Sequence, residues 1–105
     1  MTGISEAGAD DGLVQIGAVR AFDPLPQAHE TARKLGEEVM EAFSAFERLE
    51  RAATFDEETV ARGDVLLELS DVVQAVANLA AACGVDDMRP LMAACEARNR
   101  ARGRL

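Results

Sequence analysis

LLELSDVVQAVANLAAAC, residues 66–83, decides the fold. Read as a helix, the run is apolar on nearly every side, and only Glu68, Ser70, Asp71, Gln74 and Asn78 are polar within it. A helix with apolar side chains all round is covered by other helices, in a bundle or an oligomer interface. At about 100° per residue, Asp64, Glu68, Asp71 and Asn78 fall within one arc of roughly 80°. Glu68 and Asp71 stand i, i+3, so their carboxylates share a face. No basic residue of the same helix lies beside them. Unpaired carboxylates in low dielectric are costly. These acids must therefore be paired with cations from another helix, protonated, or bound to metal. The residues alone leave structural pairing and ligand binding open.

Upstream, the pattern predicts a long helix from Gln27 to Ala53. Ala28, Ala32, Leu35, Val39, Ala42, Phe43, Phe46 and Leu49 recur at spacings of three and four and define one stripe. The stripe centres near Val39, Ala42 and Phe46. Phe43 and Phe46 read as core at that spacing. Glu38 lies at the edge of the stripe, Glu41 about 60° further out, and Glu37 nearly opposite its centre. Lys34 and Arg33 stand i, i+4 from Glu38 and Glu37, which is also the pattern of a solvated, ion-paired surface.

Thr54 caps the next helix, with Glu57 as its capping-box partner. That helix runs to about Cys83, and Gly84 stops it. Gly63 inside it costs about 1 kcal/mol relative to alanine and marks a kink or a late start near Asp64. Asp86 or Asp87 caps a last helix, with Pro90 in its first turn, ending near Arg102 and Gly103. Asp23-Pro24-Leu25-Pro26 breaks the chain before the first long helix. Before that break, Leu13 to Phe22 reads as one or two helical turns, and Met1 to Gly12 as a polar tail. The division is thus residues 1–22, tail and short helix, and residues 23–105, helical domain. No strand signal or internal repeat appears, so the fold class is all-α: an antiparallel bundle completed by oligomerisation.

Composition agrees. The chain has 105 residues, 49 % of them hydrophobic, and its only aromatics are four Phe, which suits packed helices rather than sheets. A formal net charge of −8 argues against binding nucleic acid or an anionic membrane. No apolar run approaches the roughly 20 residues of a bilayer span. Neither a basic nor an apolar signal region opens the sequence, and the expected compartment is the cytoplasm. Cys83 and Cys95 lack metal-ligand spacing and read as small apolar residues. His29 reads as surface.

The acids on the two long helices gain weight together. If the helices pack antiparallel, E-x-x-E at Glu38 and Glu41 faces E-x-x-D at Glu68 and Asp71. Four carboxylates around one cavity need cations. An all-oxygen set favours Mg²⁺, with Mn²⁺ as the alternative.

These residues resemble a known family. KLGEEVMEAF, VLLELSDVVQAVANLAAACGV and CEARNRARGRL are similar to the MazG-like nucleotide pyrophosphohydrolases of the all-α NTP pyrophosphatase superfamily. The likeness runs from about Gln27 to Leu105 and leaves out Met1 to Phe22. It implies cleavage of a nucleoside triphosphate between its α and β phosphates, in a homodimer or homotetramer. By motif it makes Glu38, Glu41, Glu68 and Asp71 Mg²⁺ ligands, and Glu37 a further ligand or the group that orients the attacking water. It also implies that Lys34, Asn78, Arg98, Asn99 and Arg102 contact the substrate. For the arginines, a solvated last helical turn is the alternative. Two other functions stand beside this one: a phosphoribosyl-ATP pyrophosphohydrolase with the same fold and metal motif, and a non-enzymatic helical module whose acids pair with a partner's arginines.

Overall fold

The structure, a computed structural model, describes residues 12–105. The expected tail falls outside them except for Gly12. Among the described residues there are three helices, α1 (Ala28–Glu50), α2 (Phe55–Ala82) and α3 (Arg89–Ala101), and no strand.

Local chemistry sets the helix ends. Thr54 Oγ1 accepts from Glu57 N–H at 3.1 Å, and Glu57 Oε1 accepts from Thr54 N–H at 3.3 Å, completing the capping box at the start of α2. The helix runs unbroken through Gly63, without a late start. At its end Gly84 takes φ +81°, while Gly84 N–H donates to Ala81 O and Val85 N–H to Ala80 O, each at 2.9 Å. This double bond satisfies carbonyls that the last turn would leave bare. The N-cap of α3 is Met88, which makes no side-chain cap bond, rather than Asp86 or Asp87; Asp87, one residue before it, accepts at Oδ1 from Arg89 N–H at 3.0 Å.

Helices α1 and α2, joined by residues 51–54, pack against each other as an antiparallel hairpin, whereas α3 packs against neither. On α1, Thr31, Glu38 and Ala45 are buried at seven-residue spacing, with Leu35 and Ala42 half-buried between them and Leu49 half-buried one turn beyond. On α2 the buried residues are Ala75 and Asn78. The stripe is thus rotated from the one expected. Glu38 lies at its middle, while Val39, Phe43 and Phe46 face outward, Phe43 with 56 % of its surface exposed. Helix α1 has two adjacent apolar sides, and α2 covers only the one bearing Thr31, Ala42 and Ala45.

Leu13 to Phe22 forms no helix. The segment has no regular secondary structure, and Gly17 at φ +85° lies outside any right-handed helix. Its backbone is held by side chains of α2: Gln74 Nε2 donates to Arg20 O at 2.9 Å, and Asn78 Oδ1 accepts from Phe22 N–H at 3.0 Å. We call it the strap. Helix α2 is long and apolar enough by composition to cross a membrane, further than the sequence expectation allowed, although Glu68 and Asp71 interrupt it. Acids within a span are expensive in lipid.

Candidate functional site

Three carboxylates meet across the α1–α2 seam. Glu38 and Glu41 from α1 and Glu68 from α2 each offer one oxygen, and these atoms lie within 4.8 Å of one another. The helical periods explain the convergence: Glu38 and Glu41 stand i, i+3 on one helix, and antiparallel packing brings Glu68 opposite them. Glu38 is buried, Glu68 half-buried and Glu41 exposed.

The electrostatics of this group are unfinished. Glu38 Oε2 lies 3.2 Å from Lys34 Nζ. Glu38 Oε1 and Glu68 Oε1 are both buried with no hydrogen-bond donor in reach. The negative charge of Glu38, then partial desolvation, then the charge of Glu68 push the Glu41 carboxyl above its ordinary pKa. The same cluster holds the Lys34 ammonium above its ordinary value, chiefly through its hydrogen bond to Glu38. Buried acceptors without donors are costly. A metal cation would satisfy them, and these three carboxylates are the residues that could hold one.

The other proposed residues are placed as follows. Asp71 is exposed one turn beyond Glu68 and does not join the three-carboxylate group. Glu37 is half-buried, paired with Arg33 and 3.5 Å from Lys34 Nζ, also outside the group. Asn78 is buried, and its Oδ1 is taken by Phe22 N–H and by Gln74 Nε2 at 3.1 Å. It is therefore an anchor for the strap. Arg98, Asn99 and Arg102 lie on or just past α3, away from the carboxylates; Asn99 Oδ1 accepts from Arg104 at 3.0 Å. His29 is exposed, and both cysteines are free thiols.

Sequence reasoning missed two groups. Arg48 and Ser44 line a cavity with Glu41 and Glu68, and Phe22 lines another with Thr31, Lys34 and Ala75. A signal for the second was present. Gln74 and Asn78 are polar at i, i+4 on an apolar helix, so they needed partners.

Comparison with protein-family models, with curated proteins and with solved structures returns no match.

Proposed function

We propose that this chain is a Mg²⁺-dependent nucleoside triphosphate pyrophosphohydrolase, working as a cytoplasmic homo-oligomer, with a house-cleaning role toward (deoxy)nucleotides. The observation that carries the reading is the convergence of Glu38, Glu41 and Glu68, two of them with buried oxygens that lack a donor. The resemblance of the two acidic motifs and the RNRARGR tail to MazG-like enzymes supplies the substrate class.

In the reaction, a water oxygen bonds to the α phosphorus and the bridging oxygen leaves with the β and γ phosphates. The products are a monophosphate and pyrophosphate. Glu38, Glu41 and Glu68 would hold Mg²⁺, and Asp71, outside the group as it stands, would complete the set by the motif alone. When bound, the ion neutralises phosphate charge and lowers the pKa of water. Glu37, on the outer side of Glu38, orients the attacking water and receives its proton. Lys34, already drawn to Glu38, balances the α phosphate. Arg98, Asn99 and Arg102 contact phosphates only from a neighbouring copy, because α3 does not reach the seam of its own chain.

The test is pyrophosphate release from a panel of ribo- and deoxynucleoside triphosphates with Mg²⁺. Release is expected with at least one nucleotide. Glu68→Ala and Asp71→Ala should each abolish it while leaving the far-ultraviolet circular dichroism helical. No release from any nucleotide by the intact oligomer would sink the reading.

A further inference from the structure

Two cavities open on the α1–α2 seam, one on each side of the carboxylates. The first, about 230 Å³, lies between the first turns of α1 and the second half of α2. Phe22 of the strap forms one wall, the small buried side chains of Thr31 and Ala75 leave the space, and Lys34 stands between it and Glu38. The second, about 220 Å³, is bounded by Glu41 and Glu68 together with Ser44 and Arg48. Arg48 makes no ion pair among the described residues. Lys34, Glu41 and Arg48 are spaced seven apart and follow one line along α1.

A nucleoside triphosphate has the same order of chemistry along its length: an apolar, stackable base at one end and a polyanion at the other. We propose that it lies along this seam in one direction, base and sugar in the strap cavity against Phe22, and the leaving pyrophosphate against Arg48 and Ser44. This rests on the function proposed above and assigns the nucleoside and leaving-group subsites. Phe22 is 55 % exposed, so a flat ring face is available for a base to cover. The cavity is smaller than the roughly 300–1,000 Å³ of a pocket for a drug-sized ligand, which suits the nucleoside part alone. Gln74 and Asn78 fix the backbone of Arg20 and Phe22, so the wall is set before a ligand arrives. The planar guanidinium of Arg48 suits bidentate phosphate recognition. The reverse direction would set a polyanion against Phe22, Ala75 and the Glu30 carboxylate, with Lys34 as the one cation lining that cavity, and the base against Arg48 and two carboxylates.

The chain contains neither Trp nor Tyr, so Phe22→Trp would place a single indole in the strap cavity. A nucleoside monophosphate added without metal should quench that indole saturably. With Mg²⁺ and nucleoside triphosphate, Phe22→Ala should raise KM about tenfold or more and leave kcat within about threefold. Binding of inorganic tripolyphosphate with Mg²⁺ should be unchanged by Phe22→Ala and weakened about tenfold by Arg48→Ala. An unquenched indole, or a KM untouched by Phe22→Ala, overturns the base assignment. Tripolyphosphate binding indifferent to Arg48→Ala overturns the leaving-group assignment. If Phe22→Ala does not fold, the indole quench decides. Quenching and Arg48-dependent tripolyphosphate binding without hydrolysis would sink the catalytic reading and keep the binding direction. Hydrolysis indifferent to both variants would do the opposite.

Discussion

Glu38 gives one oxygen to Lys34 and buries the other without a donor, while its charge and that of Glu68 bear on Glu41. The consequence is a pH dependence of stability and, on the function proposed above, a metal dependence beside it. Glu41 is held above the ordinary 4.5, so protonation is favoured in the fold. Its contribution is fully present below that ordinary value and is lost as pH rises through the raised one. The contribution of Glu41 should therefore fall as pH climbs toward neutrality, against the opposite trend of Asp87 and Glu30, whose lowered carboxyls favour the fold at higher pH, and comparison with Glu41→Gln isolates it. Mg²⁺ should reverse the loss near neutral pH. At a hundredfold excess over its Kd a bound ion adds about 2.7 kcal/mol, or a Tm rise on the order of 10 °C for a domain of this size. Glu68→Gln should blunt both effects. Calorimetry across pH, with and without Mg²⁺, checks this; a Tm indifferent to the ion in the native sequence would contradict it.

At the scale of the element, the helix ends answer to single residues. Thr54→Ala removes half of the capping box and should cost about 1 kcal/mol. Gly63→Ala should recover about 1 kcal/mol, since the position is helical and no atom lies within 4 Å of an added Cβ. Opposite shifts of the urea midpoint at constant m would verify the pair. The same punctuation is why the helices could be read from the sequence. Thr54, Gly84, Asp87 and Gly103 act on their immediate neighbours, and their signals are local. The face of α1 that α2 covers was not legible in the same way. Period alone favours Phe43 and Phe46, but Thr31, Ala42 and Ala45 line the covered side and Glu38 is carried inward with them. The acidic meeting point was partly legible because Glu38 and Glu41 share a face of α1 and Glu68 lies opposite them once the hairpin closes. Asp71 shows the limit of that logic: one turn beyond Glu68, it stands outside the group. The strap was hidden because its partners, Gln74 and Asn78, lie 54 and 56 residues away in sequence.

At the scale of the whole molecule, the hairpin covers too little of itself. Leu66, Leu69 and Val76 share the side of α2 turned away from α1, and Val39, Phe43 and Phe46 are uncovered on α1. Large exposed apolar side chains on both helices fit an association face. A second copy is the occupant proposed here, and sedimentation should give a dimer or tetramer. Leu66→Glu should shift it to monomer and lower Tm, whereas a native chain that sediments as a monomer at micromolar concentration would refute the assembly. The detachment of α3 has a dynamic counterpart. A helix of 13 residues that packs against neither of the other described helices is near the length at which isolated helices are marginal in water. In a dissociated chain its amide protons should exchange with deuterium far faster than those of the hairpin, as a separate unit of opening. Protection of Ala94 to Arg98 that grows with protein concentration would then report, residue by residue, where the last helix comes to rest.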